Sequence, residues 1–171
     1  MAIHDERDPV ADARERRIPT RAGCAWAFTD NLAAADILPI RFGALAAAQA
    51  ATRLFADLDD ALAARFARGD VLIGGYNLGI GAGGDAAARA LTAAGFGAVV
   101  AGSFADAFDD ALLRAGIPPL EVDAPGTFHT GNHLRINLEA GAIANLSSGD
   151  RQPVRNLTDE LLERLRTVLG Q

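Results

Sequence analysis

A chain of 171 residues with a formal net charge of −6, half of it hydrophobic and largely alanine, is long enough for one domain with a substantial core. Its acidic balance argues against a nucleic-acid backbone as partner, since neutralising phosphates requires a basic surface. One cysteine, Cys24, excludes a disulfide framework and any cysteine-held cluster or structural zinc within the chain.

Residues 1–21 carry mixed charge and two prolines without apolar periodicity and read as a flexible tail. The tail has no apolar core of the kind a signal peptide needs, and no later run approaches a membrane span, so a cytoplasmic protein is expected. Residues 22–29 (AGCAWAFT) alternate as a first strand, ended by Asp30 and Asn31. Residues 33–42, with Asp36 and Pro39, read as an irregular loop across the front of the domain. Residues 44–67 suggest two short helices, the second capped by Asp59 or Asp60. A strand over 71–77 leads into a glycine-rich turn and a helix over 85–94, which Gly95 closes in a left-handed cap. A buried strand follows at 98–101. Ser103, with Asp106 three residues on, resembles a capping box opening a helix to Ala115, stopped by Gly116. A short strand at 120–122, a loop at 123–131 and a hairpin of 133–139 with 142–146 come next. A polar loop at 147–153 precedes a final amphipathic helix at 158–169, with Leu161, Leu162, Leu165 and Leu169 on one stripe. The β-α-β-α centre points to a single α/β domain over 22–171.

Six glycines fall between Gly74 and Gly84, directly before the helix. Such a turn implies positive φ angles or a closely approached backbone, and unpaired amides at the helix start suit an anion. Gly79, Gly81 and Gly84 match G-x-G-x-x-G, but AVVAGSF offers no acid at the tip of the next strand to hold a ribose, so dinucleotide binding is a secondary reading. Between Asn77 and Asp85 there is no Ser, Thr, Lys, Arg, His or Cys. Asp106 and Asp110, spaced i, i+4, read either as a carboxylate pair or as acids complementing a helix dipole. His129 and His133 have no partner at metal-ligand spacing, and no metal site is expected in this chain.

The segments AWAFTDN (25–31), ILPIRF (37–42), LFADL (54–58), GDVLIGGYNLGIG (69–81), AVVAGSFADAF (98–108), AGIPPLEV (115–122) and LRINLEAGAIANLSSG (134–149) together resemble the small subunit of 3-isopropylmalate dehydratase, the swivel domain of the aconitase superfamily. The resemblance implies a three-layer β/β/α swivelling domain with a parallel central sheet. It also implies a hydro-lyase or isomerase whose large subunit carries a [4Fe–4S] cluster as Lewis acid for the substrate hydroxyl and carboxylate. The cofactor then belongs to that partner and not to this chain, and the ligand is a small-molecule carboxylate or a related substrate.

Where the family has Asn-Phe-Gly-Cys-Gly followed by Ser-Ser-Arg-Glu-His, this chain keeps the frame in Asn77, Leu78, Gly79, Ile80 and Gly81, then reads Ala82, Gly83, Gly84, Asp85 and Ala86. The serine base of the family corresponds to Gly83 and its substrate arginine to Gly84. The front loop keeps Asp30 and Asn31, and Asp106 and Asp110 stand where the family places arginines. Expected substrate contacts are Asp30, Asn31, Asn77, Gly79, Gly81, Ala82, Gly83, Asp85 and Ser103, with backbone amides in place of a catalytic side chain. The chain is therefore expected to be a diverged subunit, acting with its partner on an atypical substrate and inactive alone. The alternatives are a non-catalytic scaffold or regulatory paralogue, and a nucleotide or anion binder using the turn.

Overall fold

The computed structural model describes residues 17–169, so most of the tail expected at 1–21 lies outside the described residues. Seven strands form one sheet in the order β4-β3-β2-β1-β5-β6-β7. These are β1 (Arg21–Ala27), β2 (Val71–Ile73), β3 (Ala98–Ala101), β4 (Pro119–Glu121), β5 (His133–Asn137), β6 (Ala142–Asn145) and β7 (Arg151–Pro153). Strands β1 to β4 are mutually parallel, while β5, β6 and β7 continue the sheet antiparallel from β1. The continuous apolar runs of β2 and β3 are buried on both faces, as parallel strands require, whereas β5 alternates buried and exposed residues.

The helices are α1 (Ala34–Ile37), α2 (Ala47–Ala51), α3 (Gly84–Ala94), α4 (Phe108–Ala115) and α5 (Asp159–Leu169). On one face of the parallel strands, Leu72, Val99 and Ala101 meet Ala87, Leu91 and Leu112 of α3 and α4. On the other, Val71, Ile73 and Val100 share a core with Leu134, Ile136 and Ile143 of the antiparallel strands and with Leu165 of α5. The sheet thus curls over itself and gives the β/β/α layering. The chain after β7 covers the free edge of β4: Arg155 N–H donates to Glu121 O at 2.7 Å, and Asn156 Oδ1 accepts the Glu121 N–H at 2.9 Å. Glu139, just after β5, binds Arg166 of α5 at 2.7 Å and accepts the Ile18 N–H at 3.1 Å, anchoring that helix.

Several local expectations need correction. Ser103 does not open a helix; its Oγ accepts the Asn77 N–H at 2.9 Å, and α4 begins only at Phe108, behind Ala107 at φ 69°. Asp106 therefore lies outside α4 and shares no helical face with Asp110. The front loop is more regular than expected, holding α1 and a 3-10 turn at Ile40–Phe42. Residues 44–67 contain only α2 and a 3-10 turn at Ala63–Arg65. Aromatic packing holds that segment instead: Phe55 stacks on Phe28 at 4.4 Å, and Phe66 meets Trp26 and Phe96 edge-on. The second strand ends at Ile73 rather than Asn77, and the polar loop at 147–153 includes β7, an edge strand too short and polar to show periodicity. Cys24 is half-buried, its Sγ 3.5 Å from His133 Nδ1. Gly95 closes α3 in a left-handed cap at φ 92°, as read from the sequence, and Gly116, read only as the stop of its helix, caps α4 in the same conformation.

Candidate functional site

Beyond Ile73 the chain leaves the sheet and runs between two loops. Leu78 N–H donates to Ser103 O at 3.1 Å and Ala105 N–H to Leu78 O at 2.9 Å on one side. On the other, Gly79 N–H donates to Leu32 O at 2.7 Å and Ala34 N–H to Ile80 O at 2.9 Å. Leu78 is fully buried, so the first half of the turn is locked while residues 80–83 stand exposed.

Four of the expected contact residues come together here as braces. Asp30 Oδ1 accepts the Tyr76 N–H at 2.8 Å, Asn77 Nδ2 donates to Asn31 Oδ1 at 3.2 Å, and Ser103 holds the Asn77 amide. Asn31 and Asn77 both take the left-handed conformation at φ 56°, which asparagine tolerates best among residues with a Cβ. These bonds fix the shape of the turn.

The open half presents backbone. Gly79, Gly81 and Gly83 lie at φ 88°, 83° and 93°. Gly83 O accepts the Ala87 N–H at 3.0 Å, which starts α3, and the first-turn amides that follow lie at the positive end of its dipole. Phe108, 2% exposed, lies beneath: a Cβ on Gly79 would fall 2.8 Å from Phe108 Cβ and overlap the ring, and one on Gly84 would lie 3.3 Å from Phe108 Cδ2. Gly84 is therefore backed by a phenyl ring.

A cavity of about 140 Å³ opens beside the turn, lined by Gly79, Gly81, Gly84, Asp85, Asp106, Phe108 and Arg114 among others. Arg114 Nη2 lies 2.8 Å from Asp85 Oδ1. Sequence reasoning missed this arginine, because the pair spans 29 residues and no local pattern connects them. Asp106 faces the cavity, whereas Asp110 turns toward Arg164 of α5 at 3.9 Å, away from the turn. A larger cleft of about 640 Å³ lies beyond Asp30 and Tyr76, walled by Phe28, Pro125 and Phe128 with His129 at its edge. The first residues of the turn, Gly74 to Tyr76, line it together with Asp30, whereas Gly79 to Asp85 do not, so the start of α3 opens into the smaller cavity and not into this cleft. Among the described residues no group of three or more His, Cys, Asp or Glu is arranged to hold a metal. No helix among them is long and apolar enough to cross a membrane.

Residues 60–125 match the aconitase C-terminal domain family. The chain is 31% identical over 146 residues to 3-isopropylmalate dehydratase small subunit 1 of Thermotoga maritima, covering 84% of this chain and 88% of that protein. The chain belongs to the small-subunit family of 3-isopropylmalate dehydratases. A further family member, the isopropylmalate/citramalate isomerase small subunit of Methanocaldococcus jannaschii, is 29% identical over 145 residues, 84% of this chain and 86% of that one. The crystal structure of a 3-isopropylmalate dehydratase from the same organism superposes with a TM-score of 0.82 at 22% identity, covering 88% and 90% of the two chains. The fold of this small-subunit family, an α/β swivel domain of the aconitase superfamily, is accordingly the one described above.

Proposed function

We propose that the chain is the small subunit of a hydro-lyase or isomerase, working with an iron–sulfur large subunit on a hydroxy-carboxylate other than 3-isopropylmalate. The observation that carries this reading is the glycine turn, braced on both sides and open to solvent at the start of α3, in a chain that spans most of a dehydratase small subunit. The amides there donate to a substrate carboxylate or oxyanion. Asp30, Asn31, Asn77 and Ser103 hold the turn in shape and act as positioning residues.

A [4Fe–4S] cluster needs cysteine thiolates. Cys24 is the only cysteine of the sequence, so these residues do not fit the cluster, and no step performed by this chain runs through it. Large apolar side chains remain exposed around the turn: Ile40 at 59%, Tyr76 at 48% and Ile80 at 37%. An apolar rim around an exposed loop suits a face that a second subunit covers. The test is co-expression with an aconitase-type large subunit. A complex that Ile40→Glu or Tyr76→Glu disrupts supports the reading; a chain that stays alone in every combination refutes it.

The missing side chains at Gly83 and Gly84 favour one other reading, a non-catalytic regulatory or scaffold subunit. Under it, the complex forms but the turnover of the large subunit does not depend on the turn.

A further inference from the structure

Arg114 brings a guanidinium beside a turn that has no cationic side chain of its own between Asn77 and Asp85. It extends from the last turn of α4, and among the described residues it is the one cation lining the small cavity beside Gly81 and Gly84. In this structure its guanidinium is held by Asp85 at 2.8 Å, and both side chains are about two-thirds exposed, at 62% and 65%. Such an exposed pair contributes little stability, so exchanging one carboxylate for another on the guanidinium costs little. Asp106 lines the same cavity and adds a second negative charge.

We propose that Arg114 is a substrate-binding residue of this subunit: a single carboxylate of the substrate displaces Asp85 from its guanidinium, and the cavity takes one such group, not two. The proposal rests on the reading given under Proposed function and names its substrate class, a hydroxy acid presenting one carboxylate to this subunit. A guanidinium matches a carboxylate through two parallel N–H donors, which a point charge does not. The facing carboxylates of Asp85 and Asp106 repel a second anionic group, so discrimination against dicarboxylates is built into the cavity.

The test titrates the full chain with sodium propionate and with sodium malonate at constant ionic strength. It follows the amide resonances of Gly81 to Asp85 and the Arg114 Nε resonance. Propionate is expected to shift both sets saturably, and malonate to bind no more tightly despite its greater charge. Arg114→Gln should weaken propionate about tenfold or more, with Arg114→Lys intermediate. Asp85→Asn should strengthen it by up to about fivefold by freeing the guanidinium. Melting temperatures of all three variants should stay within about 2 °C of the parent, because an exposed pair is being altered. No saturable shift in either the parent or Asp85→Asn overturns the proposal, as does binding that Arg114→Gln leaves unchanged. Tighter malonate binding overturns the single-carboxylate claim. The titration needs no partner: a chain that joins a large subunit but fails it loses only Arg114, and one that passes yet finds no partner loses only the proposed assembly.

Discussion

Gly79→Ala probes the frame of the turn at its most crowded point. Gly79 sits at φ 88°, and a Cβ there would run into Phe108. A side chain in the left-handed conformation costs about 1–2 kcal/mol, and forcing an extra carbon against a packed ring adds about 1–3 kcal/mol. The sum, about 2–5 kcal/mol, is a large share of the stability of a small domain. Gly81→Ala is the control: its φ is 83°, but a Cβ there meets nothing within 4 Å, leaving only the backbone cost of about 1–2 kcal/mol. Urea denaturation of both variants measures the difference, expected at about 1–3 kcal/mol. Adding Phe108→Leu to Gly79→Ala should cost less than the sum of the single changes, because the clash is shared. A Gly79→Ala protein no less stable than Gly81→Ala would refute the packing of Phe108 beneath the turn.

Other expectations follow from the same geometry. Gly83→Ser introduces the serine that the resemblance implies here but places a Cβ at φ 93° and 2.9 Å from Ile40 Cδ1. The exposed Ile40 side chain can shift, so a stability loss of about 1–2 kcal/mol from the backbone is expected, with no rise in turnover when assayed beside a large subunit. Asp70 is buried and its Oδ2 accepts both the Trp26 indole N–H at 2.7 Å and the Ala67 N–H at 2.8 Å. Asp70→Ala should cost about 2–4 kcal/mol and shift the emission of Trp26, the only tryptophan. The hydrogen bonds from Arg166, and less so from the Ile18 amide, hold the Glu139 carboxyl below its ordinary range. A depressed folded value means that its contribution is complete above about pH 4.3 and disappears as pH falls through the folded value. Denaturation midpoints measured from pH 6 to pH 3 should fall less steeply for Glu139→Gln than for the parent.

What the sequence made legible was local. Gly95 and Gly116 announced the ends of α3 and α4, and HLRINLE announced a hairpin strand, because a cap or an alternation needs only its neighbours. What it obscured depended on distant residues. Ser103 had the pattern of a cap, but the Asn77 amide, 26 residues earlier, claims its hydroxyl. The Arg114 and Asp85 pair and the closure of β4 by Arg155 join elements far apart in the chain, so neither leaves a trace in spacing. The sequence showed glycines at positions 83 and 84, where the resemblance implies a serine and an arginine. The phenyl ring under Gly79 and Gly84 was not legible, since Phe108 falls in an ordinary amphipathic pattern. Asp106 and Asp110 looked alike in sequence but separate once the helix starts two residues after Asp106.

The central claim is that this chain completes a hydro-lyase. It is tested most directly by purifying the chain with an aconitase-type iron–sulfur large subunit from the same organism. The ultraviolet absorbance of the unsaturated product is then followed across a panel of hydroxy acids. The account predicts a stable complex that turns over at least one of them, and only when both subunits are present. Failure to form the complex, or turnover that is unchanged when this chain is omitted, would contradict it.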